Sequence, residues 1–387
     1  MSEMIYLDNA ATSFPKPDVV YDFMTSFYRK SGVSPGRSGF DAALEAEELV
    51  MNTRKILTEL FHAGSDSNRL TFSYNASDSL NMVIQGLVEK GDHVITTMLE
   101  HNSVLRPLHH LKMDKNVEVT HIPFDSHGYV DPDDVKKALR KNTRLVIVNH
   151  CSNVTGTVQP VAEIGKICKQ AGVIFAVDTT QTAGTVPLDM QAMGIDVVIF
   201  TGHKCLLGPT GIGGSYVKES APVKYTRFGG TGVRSAQLTH LDEYPYHLEC
   251  GTLNLIGVAG LYAGVKWIRE QGMDNLHRKE MALWDKLRKG IQDIDNVVTY
   301  CAERPEDHNP VLSFNILNLQ AGDVGTMLDV DHNIACRTGL QCAPKVHEGL
   351  GTDTMHGTVR LSIGPFNTEA HIDAAIAAVK DVAGFKK

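Results

Sequence analysis

What this chain lacks narrows its role before any motif is considered. No apolar stretch approaches the roughly 20 residues of a bilayer-spanning helix, and the opening Met1-Ser2-Glu3-Met4 has neither a basic n-region nor an apolar h-region. Neither a membrane association nor a secretory leader is therefore expected. There is no basic run, and 37 Lys and Arg against 45 Asp and Glu leave a formal charge of −8. That balance is wrong for a protein that neutralises phosphates, so no nucleic-acid partner is expected. The seven cysteines are odd in number and contain no C-x-x-C pair. They read as reduced thiols of a cytoplasmic protein, not as a disulfide framework or a structural zinc site. His101, His109 and His110 find no third ligand at helical spacing with an acidic partner, so no metal is assigned. Internal repeats and low-complexity linkers are missing too.

What is present is an ordinary globular composition, 42% hydrophobic and 21% charged over 387 residues, enough for two or three domains. Short β-branched runs at 70–74, 93–98, 117–123, 145–150, 173–178 and 197–201 read as buried strands. Amphipathic stretches at 104–112, 132–139 and 161–170 lie between the later ones. Asp131-Pro132 and Pro160 sit at helix starts, and Gly172 sits where a helix would stop. Continuous apolar strands alternating with helices predict an α/β fold with a mostly parallel sheet covered on both faces. Ligands then belong at the carboxyl ends of the strands. Beyond about residue 260 long helices alternate with isolated strands, which predicts a smaller α+β domain. The expected division is 17–260 for the large domain, and 1–16 with 261–387 for the small one.

Two strand ends carry the chemistry. Thr201-Gly202-His203-Lys204 follows the run VVIF, and Asp178 closes the run VIFAVD, with Gln181 just beyond. Alone, a lysine after a strand is a surface lysine and an aspartate after a strand is a turn residue. Together they suit pyridoxal 5'-phosphate, whose aldehyde bonds a lysine and whose protonated ring nitrogen pairs with an acid. Asn75-Ala76-Ser77 opens a helix after a strand, which presents free N–H groups to a phosphate, although an ordinary N-cap looks the same. His101 could stack on an aromatic cofactor and move protons. Gly208-Pro209-Thr210-Gly211 has G-x-G spacing without the strand-to-helix setting of a dinucleotide fingerprint, so it reads as a tight turn into a strand.

The ordered set of motifs resembles the class V aminotransferase family of fold-type I enzymes, in its cysteine desulfurase and selenocysteine lyase branch. Tyr6-Leu7-Asp8-Asn9-Ala10-Ala11 is similar to the family's opening, and Glu100-His101 to its ring-stacking histidine. Ser152-Asn153-Val154-Thr155-Gly156 is similar to its asparagine loop, Gly251-Thr252-Leu253-Asn254 to a loop that reaches a phosphate across a dimer interface, and Val359-Arg360-Leu361-Ser362 to the strand of its carboxylate-binding arginine. Arg337-Thr338-Gly339-Leu340-Gln341-Cys342 resembles its catalytic-cysteine segment. The R-T-G-x-x-C form, 18 positions before Arg360, resembles group II members.

The resemblance implies a seven-stranded large domain and catalytic roles for Lys204, Cys342 and His101. It implies cofactor contacts from Ala76, Ser77, His101, Asn153, Asp178, Gln181, Thr201, His203, Lys204 and Thr252, and substrate contacts from Arg360, Asn153 and Arg337. It further implies a homodimer with the site at the interface, a small amino-acid substrate, a sulfur-acceptor protein, and a place in sulfur metabolism such as iron–sulfur cluster assembly. The chain departs from the family in having Ala76-Ser77 where a Thr pair is usual, Leu253 for a proline, and Cys205 after the lysine. Cysteine, selenocysteine and cystine all stay open as substrates, as does other class V lyase or aminotransferase chemistry. The six cysteines other than Cys342 are expected to be structural, in strands, helices or beside the lysine.

Overall fold

Alternation of buried strands with amphipathic helices folds here as a sheet between helical layers, followed by a second, smaller sheet. The computed structural model describes residues 4–36 and 39–385; Met1–Glu3, part of the leader expectation, lies outside them. The strands are β1 (Ile5–Tyr6), β2 (Leu70–Ser73), β3 (His93–Thr97), β4 (Glu118–Ile122), β5 (Thr143–Asn149), β6 (Ile174–Asp178), β7 (Val197–Thr201), β8 (Gly213–Val217), β9 (Val297–Tyr300), β10 (Val311–Ile316), β11 (Ile334–Ala335), β12 (Arg337–Gly339) and β13 (Thr358–Ser362). The helices are α1 (Asp18–Ser31), α2 (Asp41–Leu60), α3 (Ala76–Leu87), α4 (Asn102–Lys115), α5 (Pro132–Ala138), α6 (Val161–Ala171), α7 (Leu255–Gln271), α8 (Met273–Gln292), α9 (Ala321–His332), α10 (Pro344–Leu350) and α11 (Glu369–Ala383).

Seven strands make the large sheet in the order β2-β8-β7-β6-β5-β3-β4. Its neighbours run parallel except at β8, which is antiparallel to both β2 and β7. Alternate residues of the central strands serve two faces. Val146, Val148, Phe175, Val177, Val198 and Phe200 pack with α2, α6 and α7 on one side. Leu145, Ile147, Ala176, Val197 and Ile199 pack with α3 and α4 on the other. Burial on both faces is why β6 and β7 read as unbroken apolar runs.

The second sheet has the order β12-β13-β10-β9. Its core joins Trp284 and Leu287 of α8, Val324 and Leu328 of α9, Phe314 and Leu361 of the sheet, and Val379 of α11. Leu7 lies in that core, and β1 pairs in parallel with β11, which ties the opening residues to the smaller sheet. Helix α7 crosses residue 260 unbroken, and its Val258, Leu261 and Val265 belong to the large core. We therefore put the change of core at Gly272, between α7 and α8. Helices α1 and α2 were not placed from the sequence, although α2 carries an apolar stripe of Ala43, Ala46, Leu49, Val50, Ile56 and Leu57. In α1 Val20 is the one apolar residue that is buried, while Val19, Tyr21 and Tyr28 are exposed. Among the described residues no helix is long and apolar enough to cross a membrane.

Candidate active site

The carboxyl ends of β5, β6 and β7 open into a cleft of about 300 Å³. Its walls bring together Ala76, Ser77, His101, Asn153, Asp178, Gln181, Thr201, His203, Lys204, Arg337, Cys342 and Arg360. Of the residues expected at a site, Thr252 stands apart. It is exposed and lines a separate depression with Tyr74, Arg227 and Glu249.

The floor is buried and its titrations are displaced. Asp178 accepts hydrogen bonds from the N–H of Thr180 at 2.9 Å and from its hydroxyl. Burial still raises its pKa, against those bonds and against the positive charge of Lys204. Burial, helped by the charge of Arg360 and opposed by Asp178, brings the Lys204 amine down to about 8, so about a tenth of it is a free base at pH 7, far more than for an ordinary lysine. The loop before it is held firmly: the His203 carbonyl accepts from Ser13 N–H, Thr12 Oγ1 and Lys16 Nζ at 3.1, 3.0 and 3.1 Å. Burial, with Lys204 and Lys16 nearby, brings His203 down to about 4.

His101 is the N-cap of α4, its Nδ1 accepting from Ser103 N–H at 3.1 Å. Burial first, then Lys204, Arg106 and Arg360, hold it down to about 4. With Nδ1 an acceptor, the neutral ring carries its proton on Nε2. Next to it, Asn75 caps α3 through Asp78 N–H at 3.0 Å, and Ala76 and Ser77, the first residues of the helix, line the cleft. Asp78, an unwelcome neighbour for an anion, is turned to Arg227 at 3.1 Å. Gly213 of β8 passes so close that a Cβ there would lie 2.8 Å from the Asn75 Cα, and only glycine allows that approach. Thr201 Oγ1 and His203 Nδ1 are buried without hydrogen-bond partners among the described residues.

The rim comes from the small domain. Arg337 and Arg360 are direct partners across β12 and β13, which turns both side chains to one side of the sheet. Arg360 is buried (2% exposed). It donates to Asp8 Oδ1 and to the Asn153 carbonyl, both at 2.8 Å, while its Nε–H is buried without an acceptor among the described residues. A buried guanidinium that is fixed in place and has a donor to spare is built to take an anion. Gln341 and Cys342 both have left-handed backbones, φ 47° and 59°, an uncommon conformation that costs energy in non-glycine residues. The turn is pinned by Asn153 Nδ2 to the Gln341 carbonyl at 2.8 Å and by Asn102 N–H to the Cys342 carbonyl at 2.7 Å. It holds the Cys342 side chain exposed at the cleft.

Several groups here were not singled out from sequence. Asp8 lies 352 positions from its partner Arg360, and no local pattern announces such a pair. Asn149, Thr180 and Gln341 stand at or beside motifs that were read for their neighbours. Of the six cysteines expected in strands, helices or beside the lysine, Cys168 lies in α6 and Cys205 follows Lys204, whereas Cys151, Cys250, Cys301 and Cys336 fall outside the regular elements. Burial pushes Cys168, Cys205, Cys301 and Cys336 up to about 12 and raises Cys151 well above the ordinary thiol value, which makes them poor nucleophiles.

A covered parallel sheet, with lysine and aspartate on adjacent strand ends facing a cleft between two domains, defines a fold-type I enzyme. The chain belongs to the aminotransferase class-V family, whose model matches residues 5–375. A probable cysteine desulfurase of Pyrococcus abyssi is 34% identical over 98% of this chain and 94% of its own length. Another probable cysteine desulfurase, from Methanothermobacter thermautotrophicus, is 32% identical over 99% of this chain and 96% of its own. Among solved structures, the apo cysteine desulfurase of Thermococcus onnurineus NA1 superposes with a TM-score of 0.90 at 32% identity, covering 98% of this chain and 94% of its own.

Proposed function

We propose that this protein is a pyridoxal phosphate-dependent cysteine desulfurase, which converts L-cysteine to L-alanine and takes the sulfur on Cys342 as a persulfide. The observation that carries the reading is the meeting of Lys204, Asp178, Arg360 and an exposed cysteine around one cleft. The residues suit the cofactor. Lys204 would bond its aldehyde carbon and Asp178 would face its ring nitrogen. His101 would lie against the ring, and Asn153 and Gln181 near the ring oxygen. The unpartnered Thr201 Oγ1 and His203 Nδ1, with Ser77 and the Ala76 end of α3, would hold the phosphate. When bound, the cofactor supplies an electron sink for charge that develops on the substrate carbons.

Arg360, with Arg337 at its side, receives the substrate carboxylate and so fixes which bond faces Lys204. The Lys204 amine takes the proton from the α-carbon, as its lowered pKa allows. Cys342, as thiolate, attacks the substrate sulfur. An S–S bond forms and the C–S bond breaks, and the carbon keeps the electron pair and takes a proton to become the methyl group of alanine. His101, neutral with a proton on Nε2, is placed to hold or supply a proton at the substrate side of the cleft.

Thr252 lies outside its own cleft, and we propose that it serves the phosphate of a partner in a homodimer. A persulfide needs a thiol acceptor, which we take to be a second protein. All seven cysteines are unpaired, which suits the cytoplasm. The test is purified protein loaded with cofactor and given L-cysteine, L-selenocysteine or L-cystine, with alanine and sulfide or selenide measured. Alanine from cysteine, lost in Cys342→Ala, supports the reading. Turnover that persists in that variant refutes the thiol's role, and turnover of selenocysteine alone assigns the lyase reaction instead.

A further inference from the structure

Glu100 is wholly buried (0% exposed), and the reaction proposed above makes no use of it. Its Oε1 accepts from the Thr97 hydroxyl at 2.7 Å and from the N–H of Asn149 at 3.0 Å. Asn149 in turn donates its Nδ2 to the carbonyl of Leu99 at 2.7 Å. Glu100 thus fastens the end of β3 to the end of β5, and it does so at the residue just before His101. Two oxygens at this junction, Glu100 Oε2 and Asn149 Oδ1, are buried with no donor among the described residues. Leaving two buried acceptors unsatisfied is costly. A single proton on Oε2 turns that acceptor into a donor and cancels a buried charge.

The neighbours favour the same arrangement. Asp178 ends β6 as the direct register partner of Asn149, so two carboxyl groups share one dry region and cannot both ionise cheaply. Asp178 has the positive charge of Lys204 and two donors from Thr180. The groups around Glu100 are Thr97 on β3, Asn149 on β5 and the buried His150 just after it, Asp178 on β6, and His101 on its own loop. His101 and His150 are both brought down to about 4, chiefly by burial, so neither supplies a cation. We propose that Glu100 is a positioning residue that works as a neutral carboxylic acid, clamping β3 to β5 beneath the cleft and leaving Asp178 as the single anion of the pair. The value of that anion to a ring nitrogen rests on the proposed function; the protonation of Glu100 does not.

The test reads stability against pH. Burial, aided by the negative charge of Asp178 and opposed by the Thr97 and Asn149 hydrogen bonds, pushes Glu100 up to about 8. A raised folded pKa means that its stabilising contribution is intact below the unfolded glutamate range and is lost as pH rises toward about 8. Glu100→Gln keeps the shape, carries an N–H₂ donor where the proposed proton sits, and has nothing to titrate. Thermal unfolding of the cofactor-loaded full chain is compared for wild type and E100Q from about pH 5 to about pH 9. The Tm of E100Q minus that of wild type should climb across this range by about 2 °C or more. Taking the difference removes Lys204 and every other shared group that is not coupled to Glu100. An offset that stays flat with pH overturns the proposal, since a merely structural role shifts Tm equally at every pH. Glu100→Leu has no titration either and gives the same slope from a lower starting Tm, so it serves if E100Q does not fold. Failure of the proposed function would show separately, as absent cysteine turnover in a wild-type protein whose stability still has this pH signature.

Discussion

The floor and the rim of the cleft are built on different principles. On the floor, Asp178, Thr201 and Lys204 sit on or just after adjacent strands of a sheet buried on both faces, and their protonation is governed by burial and by one another. On the rim, Cys342 and Arg337 come from a short strand and a pinned turn, and both are exposed. Rigid, dry scaffolding suits groups that must hold one geometry and one charge. An exposed turn suits a thiol that, in the proposed reaction, receives sulfur and then surrenders it to another molecule. The comparison predicts that floor and rim substitutions separate cofactor binding from turnover. Lys204→Ala should abolish both the visible absorption of bound cofactor and alanine production, by roughly 10⁴-fold or more. Cys342→Ala should keep the cofactor spectrum unchanged while alanine formation from cysteine falls by about 10²-fold or more. If Cys342→Ala also lost the cofactor, the rim would be part of the scaffold and the distinction would break down.

The same division governs what could be read from the sequence. The floor was legible because strands buried on both faces leave unbroken apolar runs, and their last residues are then known to within one or two positions. Lys204 and Asp178 stood out for that reason, and their pairing needed no resemblance to any family. The helix start at Ala76 and the stop at Gly172 followed from local backbone chemistry, and the latter is a left-handed C-cap with φ 67°. The rim was legible only through resemblance, because a cysteine three residues after a glycine carries no signal of exposure or reach. Partnerships made by the fold itself were invisible. Asp8 meets Arg360 only because β1 returns to β11 and the following residues run beside β13. Glu100 was named only beside His101, and its burial against Thr97 and Asn149 is made by the fold. Thr252 and Cys250 lie in a stretch without regular structure, where sequence offers no period to count.

Arg360 sharpens the comparison because it belongs to the small domain yet behaves like the floor. Its guanidinium is fixed by Asp8 and by the Asn153 carbonyl before any substrate arrives. Lysine at this position keeps the charge but loses the planar fork. Arg360→Lys should raise KM for cysteine by about 10- to 100-fold, the worth of one charge-assisted hydrogen bond, and kcat should change far less. Steady-state kinetics read the split. A fall in kcat with KM unchanged would mean that Arg360 orders the cleft and does not hold the carboxylate.

The smallest effects should come from the phosphate end, and there too buried and exposed hydroxyls should differ. Thr201 Oγ1 is buried with no partner among the described residues, so a phosphate oxygen would satisfy it in a dry setting. Removing it leaves that oxygen short of a donor where water cannot easily substitute. Ser77 is exposed and already shares a hydrogen bond with Ser103 Oγ, and the N–H groups at the start of α3 do much of the work for an anion without it. The cofactor dissociation constant, followed by loss of visible absorption on dilution, should therefore rise about tenfold in Thr201→Ala and about threefold or less in Ser77→Ala. Alanine turnover at saturating cofactor should stay near wild type in both. If Ser77→Ala were the more damaging change, the phosphate would have to sit at the mouth of the cleft and lean on the outer turn of α3, and the floor would hold only the ring.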